Sequence, residues 1–480
     1  MSARSPLDLD HDTMRRLGRR VADLVADHLA SLRDQPVLTG TGRHEAVQMV
    51  GLSPPANGAE FEELLETLRT KVFAYHAREP HPGFIAYVPS CPTFPAVLGD
   101  WLATGFNFFA GVWYVASGPN ALELVVLDWF REWLGMPLGA GGLLTSGGST
   151  ATLMAVVAAR HAAIGDDPAL LARLVVYTSD QAHSSVDRAA WIAGVARANV
   201  RALPSDEAFR LTTASLTAAM EEDRAAGRIP FMVVASAGTT NTGAVDPLDD
   251  IATLCERERV WFHIDAAYGG FAAISERGRA LFGGLSGFRR ADSVTVDAHK
   301  WLFVPFECGG LLVREPRRLK DAFQIYPDYL KDGETQGDEV NFADYGEQLT
   351  RYSRALKVWL SVSYFGVDAI RAGIDGGMNV AAAAEQFVRA APELEVLSPA
   401  QFGIFCFRAI RRGASDDELD TLNQRINAAI NAEGRFFISS TRLHGVFALR
   451  ICILGYRTTE ADVRELVNRV IELARELAQN

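Results

Sequence analysis

A lysine and an aspartate at the ends of two strand-like segments form the pattern with the clearest chemistry. Lys300 follows the β-branched run at residues 294–296, and Asp265 follows the apolar run at residues 260–264. A lysine alone at such a position is more often an ordinary surface residue. Together the two groups suit pyridoxal phosphate, because its aldehyde forms a Schiff base with an amine and its pyridine nitrogen needs a carboxylate partner.

Small and hydroxyl-bearing residues before a helical segment are suited to hold a phosphate group. Residues 143–150 read Leu-Leu-Thr-Ser-Gly-Gly-Ser-Thr, and the two glycines let backbone amides approach an anion at a helix N-terminus. The stretch lacks the lysine of a P-loop, and an ordinary helix cap is the alternative interpretation. A phosphate-bearing cofactor gives this segment a role.

Two further strand ends carry polar side chains that suit the same cofactor. His183 follows a predicted strand, and its flat imidazole can stack on a pyridine ring, although a capping or packing histidine is the common alternative. Residues 237–243 (Ala-Gly-Thr-Thr-Asn-Thr-Gly) are rich in hydroxyls that could support the ring substituents, and a plain turn is the alternative there.

A segment without clear periodicity covers residues 324–346 and contains a cluster of acids. Such long structureless segments inside a compact domain are usually functional lids or disordered linkers. Tyr329 lies in this segment and is a candidate proton donor on a mobile lid.

Composition excludes several classes of function. The 480 residues carry a net charge of −12, which argues against nucleic acid as the main partner. The five cysteines are scattered without paired spacing, so we expect reduced thiols, no metal site and a cytoplasmic location.

Residues 1–20 show no apolar signal core. Residues 101–122 lack charge, but their glycines, asparagines and proline favour burial against protein over a membrane span.

The periodicity predicts an α/β protein preceded by helices. Helical patterns cover residues 14–32 and 60–76. From about residue 140 to 315, strand-like runs alternate with helical patterns, which indicates a largely parallel sheet covered on both faces. Ligands of such sheets lie beyond the carboxyl ends of the strands, where Asp265 and Lys300 fall. The predicted strands are 174–177, 231–235, 261–264, 293–296 and 310–313.

Beyond residue 354 the pattern predicts a smaller α+β unit. A long helical pattern covers 355–374, strand-like runs cover 402–409 and 446–453, and a closing helix covers 460–478. The predicted division is an N-terminal helical segment at 1–82, a large cofactor-binding domain at 83–358 and a small C-terminal domain at 359–480.

Four stretches, taken in order, match the motifs of a known enzyme family. They read His-Pro-Gly-Phe-Ile-Ala-Tyr-Val-Pro-Ser at 81–90, Ser-Asp-Gln-Ala-His-Ser-Ser at 179–185, His-Ile-Asp-Ala-Ala-Tyr at 263–268 and His-Lys-Trp at 299–301. In these stretches the chain resembles the group II pyridoxal-phosphate decarboxylases, and most closely the aromatic-L-amino-acid decarboxylases. The resemblance covers nearly the whole chain. It implies the type I fold of aspartate aminotransferase, with a mostly parallel seven-stranded sheet, and a homodimer with active sites at the subunit interface.

The resemblance also implies a role for each residue of the site. Lys300 would bind the cofactor aldehyde, Asp265 would pair with the pyridine nitrogen, and Tyr329 would return a proton to the α-carbon after carbon dioxide leaves. His183 would stack on one face of the ring, and Ala267 would lie on the other. The remaining contacts fall on Ser146, Gly147, Gly148, Ser149 and His299 for the phosphate, and on Ser90 and Thr240 for the substrate carboxylate and the cofactor.

Asp297 departs from the family's pattern, because the family has an asparagine near the phosphate at this position. An acid beside a phosphate is unfavourable, since like charges repel. We therefore expect the side chain of Asp297 to point elsewhere or to take a different role.

The implied substrate pocket is aromatic. Its walls would be Tyr87, Trp113 and Leu349, with one polar contact from Thr350. Aromatic walls favour flat apolar side chains. The expected substrate is therefore a small molecule, namely tryptophan, tyrosine, phenylalanine or a hydroxylated relative.

Other functions stay open. In the resembling family, aldehyde synthases that couple decarboxylation to oxidative deamination commonly lack the lid tyrosine or the stacking histidine, whereas Tyr329 and His183 are both present. A decarboxylase of acidic or diamino acids is a second alternative, although no arginine is obviously placed for a second carboxylate. An aminotransferase uses the same fold. A binding or scaffold protein would not need the intact lysine, aspartate, histidine and tyrosine.

Overall fold

The computed structural model of the protein describes residues 5, 7–51, 53–325 and 338–477. Its N-terminal part is helical, as the periodicity predicts. The first helix begins after Asp10, whose carboxylate accepts the backbone N–H of Thr13 at 2.8 Å as an N-cap. Among the described residues, no helix is long and apolar enough to cross a membrane. The first five helices are α1 (His11–Ala30), α2 (Arg43–Val50), α3 (Phe61–Lys71), α4 (Phe94–Phe106) and α5 (Trp113–Trp133).

A seven-stranded sheet forms the centre of the described chain. Its strands are β1 (Gly141–Thr145), β2 (Leu174–Ser179), β3 (Val200–Leu203), β4 (Ile229–Ser236), β5 (Trp261–Asp265), β6 (Ser293–Asp297) and β7 (Gly309–Val313). They lie in the order β1-β7-β6-β5-β4-β2-β3. Strands β2 to β6 run parallel to one another, and β7 runs antiparallel to both of its neighbours. The predicted largely parallel sheet is confirmed.

Helices pack against this sheet and bury its apolar strands. Every residue of β2, β6 and β7 is buried, as expected for strands covered on both faces. The apolar core between sheet and helices includes Tyr177, Phe262 and Trp301. The helices of this unit are α6 (Gly148–Ile164), α7 (Ser185–Ile192), α8 (Thr213–Ala225), α9 (Leu248–Glu258), α10 (Glu276–Leu281), α11 (Ser286–Arg290), α12 (Ala298–Trp301) and α13 (Arg317–Phe323).

The C-terminal part has a second core and an antiparallel sheet of its own. The elements are α14 (Ala355–Phe365), α15 (Val367–Ala390), β8 (Leu394–Gln401), β9 (Ile404–Ala409), α16 (Asp416–Glu433), β10 (Ser439–Leu443), β11 (Val446–Cys452) and α17 (Glu460–Leu477). The strand order is β10-β11-β9-β8. The α+β prediction for this part is confirmed.

The prediction of one continuous helix at 355–374 is wrong. The chain breaks at Gly366, which ends α14 with a φ of 78° and precedes α15 directly. Glycine adopts this left-handed conformation without steric cost, which is why helices often end at it. Residues 358 and 359, at the predicted domain boundary, lie within α14.

Candidate active site

Three parallel strands of the large sheet end at the edge where a cavity of about 590 Å³ opens. Strands β4, β5 and β6 end at Ser236, Asp265 and Asp297, and all three residues line the cavity. Ser236 pairs in register with Asp265 across two neighbouring strands. Because parallel strands end at a common edge, the fold brings together groups that are far apart in the sequence.

Lys300 reaches this cavity from α12, the short helix that follows β6 without a loop. Its amine Nζ lies 2.9 Å from Oδ2 of Asp297, and its side chain is 18% exposed. The side chain of Asp297 therefore lies beside Lys300, and a different role for it stays a prediction. Nε2 of His299 lies 3.7 Å from the same oxygen, and burial lowers the pKa of His299 although Asp297 raises it.

Asp265 is half-buried at the end of β5, and its Oδ1 accepts the backbone N–H of Ala267 at 3.1 Å. Both residues line the cavity. His263, two positions earlier, is fully buried between Ser293 Oγ at 2.7 Å and Thr295 Oγ1 at 3.2 Å. Burial lowers the pKa of His263 to about 3, so its imidazole is neutral and joins β5 to β6.

His183 lies in the turn between β2 and α7 and lines the cavity. Its Nδ1 accepts the backbone N–H of Ser185 at 3.2 Å and lies 2.8 Å from the hydroxyl of the same residue. A backbone N–H can only donate, so Nδ1 carries no proton here. In this tautomer the ring proton is on Nε2, whose N–H has no acceptor among the described residues.

The glycine turn before α6 forms a cradle at the same edge. Ser146, Gly147, Gly148 and Ser149 line the cavity, and the hydroxyl of Ser146 lies 2.8 Å from that of Thr150. A Cβ on Gly148 would lie 3.1 Å from both Ala267 Cβ and Asp297 Oδ2, so glycine lets the backbone approach closely. Free amides at the start of this 17-residue helix suit a phosphate. Amine, carboxylate and cradle together fit pyridoxal phosphate.

Comparisons with known proteins agree with this geometry. Residues 44–410 match the pyridoxal-dependent decarboxylase conserved domain. The chain is 40% identical to an aromatic-L-amino-acid decarboxylase of Bacillus atrophaeus over 474 residues, covering 98% of each chain. It is 31% identical to a phenylacetaldehyde synthase of Arabidopsis thaliana over 469 residues, covering 95% of each. The crystal structure of Oryza sativa TDC with PLP and tryptamine matches with a TM-score of 0.93 at 30% identity, covering 99% of this chain and 100% of that chain.

The chain belongs to the pyridoxal-dependent decarboxylase family. It is a carboxy-lyase that depends on pyridoxal phosphate, and its two-sheet architecture is the type I fold expected from the sequence. The family assignment and the cofactor, both predicted from the residues, are confirmed.

Four predicted substrate-pocket residues of this decarboxylase lie outside the cavity of the single chain. Ser90 is buried, and its hydroxyl donates to the carbonyl of Val304 at 3.3 Å. Trp113 begins α5, and Leu349 and Thr350 are exposed in the segment before α14. Tyr87 does line the cavity and is 62% exposed. Tyr329 lies outside the described residues.

Sequence reasoning about this decarboxylase missed several cavity residues, of which Arg450 has the most contacts. Arg450 is buried on β11, and its guanidinium donates to the carbonyls of Tyr87, Thr240 and Asn241 and to the hydroxyl of Ser439. No local pattern points to it, because its partners lie on three distant segments. The other lining residues that were missed include Ser236, Ser439 and Ser440. Thr239 and Asn241 lie in the predicted hydroxyl-rich segment at 237–243, and Ser185 lies in the motif at 179–185, but none of the three was assigned a role.

Proposed function

We propose that the protein decarboxylates an aromatic L-amino acid to the corresponding amine and carbon dioxide. The observation that carries the proposal is the convergence of Lys300, Asp265 and His183 on one cavity with Tyr87 at its wall. The names of the relatives from Bacillus atrophaeus and Oryza sativa support an aromatic substrate.

We assign the cofactor contacts as follows. Lys300 holds the aldehyde carbon, and Asp265 keeps a proton on the pyridine nitrogen because a nearby carboxylate favours the charged form. His183 and Ala267 lie on the two faces of the ring. When bound, pyridoxal phosphate supplies a protonated ring that accepts the electron pair left by the departing carboxylate. The phosphate and ring contacts are assigned to Ser146, Gly147, Gly148, Ser149, His299 and Thr240.

The hydrogen bonds of the site indicate which groups can donate a proton. No described residue accepts the Nε2–H of His183, and we assign this donor to the substrate carboxylate or to the hydroxyl of Tyr329. Tyr329 then gives its proton to the α-carbon. Ser90 contributes to carboxylate binding only if its hydroxyl leaves the carbonyl of Val304.

We further propose that the protein works as a homodimer whose second subunit completes each substrate pocket. No residue of α1 is buried in the single chain, and Phe106 and Tyr114 are 70% and 80% exposed. Unpaired apolar surface of this kind is typical of an interface. A second copy packed here would bring its own Trp113, Leu349 and Thr350 toward the cavity.

The same proposal includes a cytoplasmic location and three domains. All five cysteines are free and buried, which supports a reducing compartment. The two main apolar cores support a large and a small domain. The proposed limits are those predicted from the sequence, 1–82, 83–358 and 359–480, although the first core extends past residue 358 to Val362 and Ile374.

Charge at the cavity favours an aromatic substrate over an acidic one. Arg450 is the arginine among the described lining residues, and its guanidinium already donates to three carbonyls and one hydroxyl. Binding a second carboxylate there would leave those buried acceptors unpaired, which costs free energy. The proposal therefore ranks acidic amino acids below aromatic ones.

The decisive experiment is a panel of amino acids with carbon dioxide, amine, aldehyde and hydrogen peroxide measured for each. We expect amine and carbon dioxide in equal amounts from at least one of tryptophan, tyrosine, phenylalanine or a hydroxylated relative. Turnover confined to glutamate, aspartate or diaminobutyrate would overturn the aromatic assignment. Aldehyde and peroxide as main products would instead identify an aldehyde synthase, the activity that the Arabidopsis relative's name describes.

A further inference from the structure

Asp297 and Lys300 form a close ion pair inside the cavity. The carboxylate Oδ2 lies 2.9 Å from the amine Nζ, and the side chain of Asp297 is 5% exposed. A charge-assisted hydrogen bond of this length between partly desolvated groups is among the stronger side-chain contacts in a protein. The carboxylate of Asp297 therefore lies within hydrogen-bond distance of the amine of Lys300.

The packing around Asp297 fixes the position of its carboxylate. A Cβ on Gly309 would lie 2.7 Å from Oδ1, and a Cβ on Gly148 would lie 3.1 Å from Oδ2, so two glycine backbones confine the group. Oδ1 is buried and has no hydrogen-bond partner within the described residues. The pair with Lys300 is therefore the main polar contact that this buried acid makes.

Resting on the function proposed above, we propose that Asp297 is a positioning residue that holds the amine of Lys300 whenever substrate has displaced it from the cofactor. The substrate's amino group must replace Lys300 at the cofactor aldehyde carbon, which frees the lysine for the rest of the turnover. Once displaced, the protonated amine of Lys300 is an acid that lies beside the cofactor aldehyde carbon. The bond to Asp297 keeps it from giving its proton to that carbon.

The product depends on which of two carbons receives a proton. The electron pair from the broken bond to the carboxylate forms a new C–H bond either at the α-carbon or at the cofactor's aldehyde carbon. The first gives amine and the intact cofactor. The second oxidises the amino acid to an aldehyde with one carbon fewer and reduces the cofactor to pyridoxamine phosphate. The exchange of Lys300 for the substrate's amino group releases no water, so the final hydrolysis consumes one water molecule from solvent. The cofactor itself accepts the two electrons, so no external oxidant is needed.

The test compares the holoenzyme with Asp297→Asn, which keeps the shape and removes the charge, and with Asp250→Asn, a matched change on the exposed side of α9. Each protein is assayed with the best aromatic substrate in the absence of oxygen, so that aldehyde cannot form by an oxygen-dependent reaction. Mass spectrometry gives the ratio of pyridoxamine phosphate to amine. We expect Asp297→Asn to raise this ratio about tenfold, the scale set by losing a hydrogen bond between charged groups, and Asp250→Asn to leave it unchanged.

A second readout does not depend on turnover. The cofactor-free proteins are treated with acetic anhydride, and acetylation of Lys300 is followed by peptide mass spectrometry. We expect several-fold faster acetylation in Asp297→Asn, because its amine has lost the bound carboxylate. An unchanged product ratio, or unchanged acetylation if the variant fails to retain cofactor, would overturn the proposal. A wild type that makes no aromatic amine would refute the proposed function, and acetylation would then still decide the role of Asp297.

Discussion

Arg450 and Thr240 join the small sheet to the large one at the wall of the active site. Nη2 of Arg450 donates to the carbonyl of Thr240 at 2.6 Å, and Nε donates to it at 3.0 Å. Nη1 donates to the carbonyl of Tyr87 at 2.7 Å. One buried guanidinium thus ties β11, the loop after β4 and the segment around Tyr87 together, so the cavity has its shape only when both sheets are docked.

Replacing Arg450 by lysine should weaken the contacts between β11, the loop after β4 and the segment around Tyr87. A single ammonium cannot donate to all these acceptors at once, so buried carbonyls are left unpaired. We expect a loss of about 1–3 kcal/mol in unfolding free energy and weaker cofactor binding. Urea unfolding and a cofactor titration would measure both. Arg442→Lys is the matched control, because that side chain is 54% exposed. Equal behaviour of the two variants would show that Arg450 has no such role.

Replacing Asp265 by asparagine should separate cofactor binding from catalysis. The amide keeps the shape and the acceptor for the N–H of Ala267 but cannot hold a proton on the pyridine nitrogen. We expect kcat to fall on the order of 100-fold or more. The cofactor should remain attached to Lys300. Steady-state kinetics and the absorbance of the bound cofactor report the two effects, with the exposed Asp187→Asn as control. Wild-type kcat in Asp265→Asn would refute the assignment.

Replacing Tyr329 by phenylalanine should shift the products. Without the phenol, the α-carbon loses its assigned proton donor, and oxygen can compete for the same electron pair. We expect less amine and more aldehyde and hydrogen peroxide, quantified together in one assay. Unchanged amine production would remove Tyr329 from the mechanism.

The ionised carboxylate of Asp462 should make the folding stability of the protein depend on pH. Burial raises its pKa, but hydrogen bonds from Arg33, Thr459 and Arg435 outweigh burial and lower the value from 3.8 to about 2. An acid with a depressed folded-state pKa stabilises the fold above its unfolded value, and this contribution is lost as pH falls through the folded one. Asp462→Asn should therefore be about 1–2 kcal/mol less stable at neutral pH. The difference in unfolding free energy between the wild type and Asp462→Asn, measured by urea unfolding, should disappear between about pH 4 and pH 2. A difference that persists at the lowest pH would contradict this account.

The sequence predicted the interior strands of both sheets and missed the edge strands. The strands β1 and β3 border the large sheet, and β8 and β10 border the small one. An edge strand pairs on one side only, so less apolar patterning is required of it. β3 has four residues, β10 reads Ser-Ser-Thr-Arg-Leu, and β8 contains Pro399, which cannot donate to a ladder. Local composition could not distinguish these strands from loops.

The site divides in the same way. Lys300, Asp265 and His183 follow interior strands, so their placement could be inferred from strand ends. The glycine turn follows the edge strand β1, and its small residues before a helical pattern were the signal instead. Arg450 could not be inferred, because its role depends on how the two sheets dock. The close approach of Asp297 to Lys300 also needed coordinates, because the one-turn helix α12 turns the lysine back toward the end of β6.

The proposed function depends on Lys300 holding pyridoxal phosphate in the cavity at the strand ends. The most direct measurement is borohydride reduction of the purified holoenzyme, followed by digestion and peptide mass spectrometry. We expect loss of the cofactor's absorbance band and a pyridoxyl group on the peptide that contains Lys300. A pyridoxyl group on another lysine, or no trapped cofactor in an enzyme that still releases carbon dioxide, would contradict it.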